Sequence, residues 1–232
     1  MEHELRVFDD ADALARAAAE FVAARALLIE SRKEPFSLAL SGGRTPWLMI
    51  DQLARDKVQW DHTHIFQVDE RVVPIDNDLR NLKSLRASLA GTGALIDPMP
   101  VERLDLARAC RDYAAALPEH FDLIHLGLGP DGHCASLVPG DPVLKVTDRL
   151  VAISGPYQGT MRMTFTYPAL ARGEQLLWLV SGADKRDALE RLLAGDRSIP
   201  ASRVDAGASL IMADRNAIGV NESAEQSKES SQ

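Results

Sequence analysis

Apolar residues in this chain come in short runs and in helical stripes, and the two alternate. The runs Ser37–Leu40, His64–Val68, Leu123–Leu128, Leu176–Val180 and Ser209–Met212 are flanked by Gly, Pro, Asp or Ser, as expected of buried strands. Leu150–Ile153 and the alternating Met163–Tyr167 read as two further strands. Between them lie helical patterns. The first runs from about Asp10 into the thirties, with Leu14, Ala17, Ala18, Phe21 and Val22 on one face. Asp9 or Asp10 suits its N-cap, and Pro35 ends it. A second helix runs through Leu53, with Thr45 as N-cap and Pro46 at its first position. Others are expected over Asn81–Leu89, Leu104–Leu117 and Asp184–Leu193, the last capped by Asp184 or Ser181. Strands alternating with helices predict an α/β fold, a mostly parallel sheet covered on both faces.

Composition narrows the class. A chain of 232 residues, 46% hydrophobic, suits one domain, expected over 1–220, with a polar tail at 221–232 expected to be disordered. The net charge of −8 gives no basic footprint for nucleic acid, so an anionic ligand would need a locally positive site. The two cysteines, Cys110 and Cys134, form neither a disulfide framework nor a zinc pattern. The start lacks a basic-then-apolar leader, and the longest apolar runs fall far short of the ~20 residues that span a bilayer. A cytoplasmic, monomeric protein is the expectation.

Candidate chemistry gathers where buried runs end. Gly127-Leu128-Gly129-Pro130-Asp131-Gly132-His133 breaks a strand and delivers a histidine, the side chain that titrates nearest neutrality. His133 is a candidate general base, with Asp131 or the backbone fixing its tautomer; a histidine satisfied by its own turn is the plainer alternative. Ser41-Gly42-Gly43-Arg44-Thr45-Pro46 reads as an anion cradle, with glycines admitting backbone N–H groups and a helix N-terminus adding positive potential. A tight turn would explain the same glycines. Asp69-Glu70-Arg71 ends another strand, where it could orient a histidine, bind hydroxyls or hold an oxyanion, or be a solvated charge cluster. Arg162 and Lys185 could reach a phosphate. Cys134 reads as a small core residue, His125 as a satisfied core histidine, and Trp47, Trp60 and Trp178 as core. His62 and His64 alternate on a strand edge but lack a third metal ligand.

Taken together, these loops resemble the 6-phosphogluconolactonase family in type, order and spacing. The segments are Ser41–Pro46, Asp69-Glu70-Arg71-Val72-Val73-Pro74 with Asn81, and Gly127 through His133-Cys134-Ala135-Ser136-Leu137. Arg162-Met-Thr-Phe-Thr and Ser181-Gly182-Ala183-Asp184-Lys185 are similar to two further family segments. Arg80 stands before Asn81 where family members often carry Ser, adding a charge near the site. The resemblance implies a Rossmann-like three-layer α/β/α fold shared with glucosamine-6-phosphate deaminases and ribose-5-phosphate isomerases. It implies hydrolysis of 6-phospho-D-glucono-1,5-lactone, with no metal or organic cofactor. His133, Asp69, Arg71 and Asp131 would then serve the chemistry. Ser41, Gly42, Gly43, Arg44, Thr45, Asn81, Gly129, Arg162 and Lys185 would bind the sugar phosphate. A glucosamine-6-phosphate deaminase is the nearest alternative; such enzymes typically carry Tyr where Arg71 stands. A non-catalytic sugar-phosphate sensor is the alternative of another class.

Overall fold

The buried apolar runs do become parallel strands. The computed structural model describes residues 2–56 and 58–219, so the polar tail lies outside the described residues. In chain order the strands are β1 (Glu4–Phe8), β2 (Phe36–Leu40), β3 (Thr63–Gln67), β4 (Asp69–Arg71), β5 (Leu95–Asp97), β6 (Leu123–Gly127), β7 (Val151–Tyr157), β8 (Thr160–Phe165), β9 (Gln175–Val180) and β10 (Ala208–Asp214). The helices are α1 (Ala11–Glu30), α2 (Arg44–Leu53), α3 (Asn81–Ser88), α4 (Leu106–Ala116), α5 (Tyr167–Leu170), α6 (Arg186–Leu193) and α7 (Arg215–Ile218).

Seven strands form one sheet in the order β1-β10-β9-β6-β2-β3-β5, and every neighbouring pair is parallel. Side chains of a strand alternate between faces, and β9 shows both faces dry. Leu177 and Leu179 join Leu14, Val22, Ile29 and Met49 of α1 and α2 on one side. Leu176, Trp178 and Val180 join Ala109, Cys110, Leu189 and Leu192 of α4 and α6 on the other. Each fully buried leucine contributes roughly 2 kcal/mol, so two such cores hold the helices on as outer layers. The expected three-layer arrangement is what forms.

From β2 the chain steps outward to β3 and β5, whereas β6, β9 and β10 step the other way. The loops after β2 and β6 therefore diverge at the centre of the sheet, the switch point where such folds bind ligands.

Several local expectations change. β1 was not anticipated: its residues are mostly exposed, and it forms through backbone pairing with β10 rather than by burying a face. Nor was β5. Asp69-Glu70-Arg71 is a strand, β4, of a second antiparallel sheet ordered β4-β8-β7. Asp10 caps α1 as expected, accepting from the Ala13 N–H at 2.7 Å. Thr45 does not cap α2: the N-cap is Gly43, at φ +137°, a backbone that side chains disfavour, and the helix begins at Arg44. Neither Asp184 nor Ser181 caps the helix near 184. The Asp214 carboxylate instead accepts from Ser181 Oγ at 2.6 Å and from the Gly182 N–H at 3.1 Å, while capping α7. His62 closes a short turn, Trp60–His62, off the strand edge. Trp178 and Trp60 are buried; Trp47 is only partly so. No helix among the described residues is long and apolar enough to cross a membrane.

Candidate active site

A cleft of about 440 Å³ opens at the switch point. Every sequence-stated candidate except Asp131 lines it: Ser41, Gly42, Gly43, Arg44, Thr45, Asp69, Arg71, Asn81, Gly129, His133, Arg162 and Lys185. Asp131 stands behind His133.

The loop after β2 makes one wall. A Cβ on Gly42 would lie 2.1 Å from Asn81 Oδ1, so only glycine lets this loop pack on the asparagine. The first turn of α2 presents N–H groups without helical partners, the positive end of its dipole. Ser41 Oγ is buried and has no partner among the described residues, a donor waiting for an acceptor.

The pleat of β4 divides the charge triplet. Asp69 and Arg71 face the cleft, and Glu70 points the other way. Asp69 Oδ2 accepts from Ser136 Oγ at 2.7 Å and sits 4.0 Å from Arg162 Nη1. Arg71 Nη1 donates to Asn81 Oδ1, and Asn81 Nδ2 donates to the Asp69 carbonyl at 3.1 Å. Glu70 is fully buried. It accepts from the N–H groups of Arg71, Asn81 and Leu82 and from Gln67 Nε2, all within 2.9 Å. Arg80 Nε lies 3.3 Å from the same carboxylate. Arg80 therefore turns into the protein, where it also meets Val73 O and Glu102, and adds no charge to the cleft lining.

The loop after β6 aims the histidine. The Gly129 N–H donates to the His133 carbonyl at 2.8 Å, closing the turn. A Cβ on Gly129 would lie 2.0 Å from His133 Nδ1, so the ring rests directly on this glycine. His133 Nδ1 is 2.5 Å from Asp131 Oδ1, which also accepts the His133 backbone N–H at 3.1 Å. An ionised Asp131 places the imidazole proton on Nδ1 and leaves the Nε2 lone pair free. Burial acts to raise the Asp131 carboxyl, but its hydrogen bonds and ion pairing with His133 outweigh this and hold it below the usual carboxylate value. Cys134 is fully buried, and burial pushes its thiol far above the usual range, so it offers no nucleophile.

The hairpin β7–β8 and the loop after β9 close the far side. Arg162 is buried; burial first, then the nearby Arg71, lowers its guanidinium pKa. Lys185 Nζ pairs with Asp184 at 3.1 Å. Tyr157 and Gln158 also line the cleft and were missed from sequence. Gln158-Gly159 between two strands is a hairpin signal that could have placed them. Among the described residues no group of three His, Cys, Asp or Glu side chains is arranged to hold a metal ion.

His125 lies fully buried in β6 beneath the Ser41 loop. Its Nδ1 is 3.3 Å from the Ser41 backbone nitrogen, but Nε2 has no partner among the described residues, so it is only half satisfied there. Burial pushes its pKa from 6.5 down to about 3. The unfolded chain therefore binds a proton that the folded chain refuses between these values. Stability is full above pH 6.5 and falls as pH drops through this window, at about 1.4 kcal/mol per pH unit for one group. His125→Leu is expected to flatten this dependence, narrowing the gap between urea unfolding at pH 7 and pH 5 by roughly 2 kcal/mol. An unchanged gap would show that His125 is not the group responsible.

Thus an imidazole held by a carboxylate faces a cleft lined by Arg44, Arg71, Arg162 and Lys185, in a chain of net charge −8. The sequence profile described as "Glucosamine-6-phosphate isomerases/6-phosphogluconolactonase" matches residues 9–212. The chain is 38% identical over 172 residues to the 6-phosphogluconolactonase of Synechocystis sp., covering 68% of this chain and 71% of that protein. The crystal structure of 6-phosphogluconolactonase from Thermotoga maritima matches with a TM-score of 0.83 at 27% identity, covering 92% of this chain and 100% of that one. A monomeric glucosamine-6-phosphate deaminase matches with a TM-score of 0.80 at 18% identity, over 94% of this chain and 100% of that one, a likeness of fold alone.

Proposed function

The chain belongs to the glucosamine-6-phosphate isomerase/6-phosphogluconolactonase family, and from that premise we propose that it hydrolyses 6-phospho-D-glucono-1,5-lactone to 6-phospho-D-gluconate in the oxidative branch of the pentose phosphate pathway. The observation that carries this reading is the His133–Asp131 pair, with Nε2 free, in the same cleft as the glycine cradle.

The phosphate sits on Gly42, Gly43, Arg44 and Thr45, with Ser41 Oγ as a further donor and Arg162 and Lys185 on the far side. Holding that remote group places the lactone carbonyl beside the base. His133 Nε2 removes a proton from water as the water oxygen bonds to the carbonyl carbon. The carbonyl oxygen becomes an oxyanion, stabilised by Arg71 or by backbone N–H groups of the glycine loops. As the oxyanion collapses, the bond to the ring oxygen breaks, and that oxygen takes the proton back from His133. The new acid ionises and releases one proton to solvent. Asp131 keeps the imidazole in the productive tautomer. Asp69, tied to Ser136, orients the sugar hydroxyls or Arg71, and Asn81 holds Arg71 in place.

Arg71 also separates this reading from deamination, because deaminases of this fold typically carry Tyr there. A cytoplasmic setting is supported by two free, buried cysteines.

The test uses freshly made lactone in a stopped-flow pH-indicator assay, since spontaneous hydrolysis masks slow catalysis. Proton release well above background is expected, with no ammonia from glucosamine 6-phosphate. Ammonia release would make the chain a deaminase; tight sugar-phosphate binding without turnover would make it a sensor.

A further inference from the structure

We propose that Tyr157 is a positioning residue for His133, holding the imidazole against Asp131. This rests on His133 as the base.

Tyr157 reaches the cleft through a specific backbone device. A register shift between Ser154 and Tyr157 interrupts the β7–β8 ladder, which resumes with Tyr157 opposite Thr160. The two residues between them, Gln158 and Gly159, have φ of +51° and +82°, the tight two-residue turn that matches strand twist. Tyr157 is thus the last paired residue before a rigid turn, and its direction is set by the hairpin.

Three residues converge on it. Its ring centroid is 5.0 Å from that of His133, with the planes at 63°, an edge-to-face arrangement of the favoured kind. Its hydroxyl stands 3.5 Å from Asp131 Oδ2, the carboxylate oxygen that His133 Nδ1 does not use. The Arg162 guanidinium lies 5.7 Å from the ring centroid, and Arg162 Nη2 donates to the Tyr157 carbonyl at 3.2 Å. Burial, and then the charge of Asp131, raises the Tyr157 phenol, so the hydroxyl remains a donor. The tyrosine therefore holds both halves of the His133–Asp131 pair while it is held by Arg162. An imidazole on a loop keeps its ring angle only if its neighbours hold it. Gly129 is one such neighbour, and Tyr157 is another.

The ring does the positioning and the hydroxyl refines it, which makes the variants separable. Tyr157→Ala is expected to lower kcat for the lactone by about 10- to 100-fold, the usual cost of losing a partner that orients a functional histidine, with KM within threefold of wild type. Tyr157→Phe, which keeps the ring, is expected to restore kcat to within about threefold. Nitrogen-15 spectra of the imidazoles at pH 8, without substrate, give a readout independent of turnover. Wild type and Tyr157→Phe should show His133 protonated at Nδ1, and Tyr157→Ala a mixture of both tautomers. A Tyr157→Ala protein with wild-type kcat and an unmixed tautomer overturns the inference, as does an effect confined to KM. If Tyr157→Ala is unfolded by circular dichroism, the comparison passes to Tyr157→Leu, with the same required outcome. Activity surviving His133→Ala would instead remove the premise, a result distinct from either.

Discussion

His133→Ala is expected to lower kcat/KM for 6-phosphogluconolactone by about 10²- to 10⁴-fold, the range assigned to a positioned general base. The lost group is specific. Asp131 anchors Nδ1 at 2.5 Å, Gly129 lies against the ring, and the remaining nitrogen faces a cleft whose other ionisable side chains are Arg, Lys, Asp and Tyr. No other imidazole lines that cleft among the described residues, and Cys134 is shut in the core. The proposed phosphate contacts lie on other loops, so affinity for the product, 6-phosphogluconate, should change by no more than a few-fold. Calorimetric titration of product, run beside stopped-flow hydrolysis of fresh lactone, separates the two effects. A variant retaining near wild-type kcat/KM would end the general-base role. A variant losing product affinity in proportion to rate would make His133 a binding residue.

Glu70→Ala is expected to cost about 3–5 kcal/mol of stability, the penalty for breaking a buried ion pair from one side. The carboxylate receives three backbone N–H groups and the Gln67 amide, and Arg80 lies against it with 1% of its side chain exposed. Truncation orphans the Asn81 and Leu82 donors at the start of α3 and leaves a guanidinium buried beside a void, with the Val73 carbonyl and the half-exposed Glu102 as its remaining partners. For a chain of this size the melting temperature should fall by roughly 10 °C. Activity should fall too, because Glu70 sits between Asp69 and Arg71 and anchors Asn81, the partner of Arg71. The double variant Glu70→Ala/Arg80→Met removes the stranded charge and should be more stable than the sum of the single changes predicts. Additive effects, or a melting temperature within a degree or two of wild type for Glu70→Ala, would mean that the pair carries little of the local stability. This pair also accounts for Arg80: it is the counter-charge of Glu70, turned away from substrate.

Much of the site was legible because it is local. The glycine cradle and the histidine loop each follow a buried apolar run, and residues at the carboxyl end of such a strand meet at a switch point whatever the helices do. Gly42 and Gly129 could be named as loop glycines, but their necessity comes from Asn81 and His133 pressing on them across the fold. Glu70 could not be told from Asp69 and Arg71 as a buried anchor, because three consecutive charges have no apolar alternation to orient them. The Gln158-Gly159 turn marks Tyr157 as a hairpin residue but not as a cleft residue, because the hairpin is brought to the cleft by the pairing of β8 with β4. The exposed edge strand β1 carried no burial signal, and Thr45 lost its expected capping role because Gly43 turned the chain two residues earlier.

The order of apolar runs and helical stripes, by itself, determined a parallel sheet between helical layers and put His133, the Ser41–Thr45 loop and Asp69–Arg71 at strand ends. These follow from periodicity and from residues a few positions apart. Only the tertiary structure decided which way each of those side chains points. The register of β4 on β8, Asp69 opposite Thr164 and Arg71 opposite Arg162, sends two charges into the cleft and one into the core. A one-residue slip would exchange them, since strand side chains alternate. That register is set by backbone hydrogen bonds between segments far apart in the chain, which no local pattern of residues encodes.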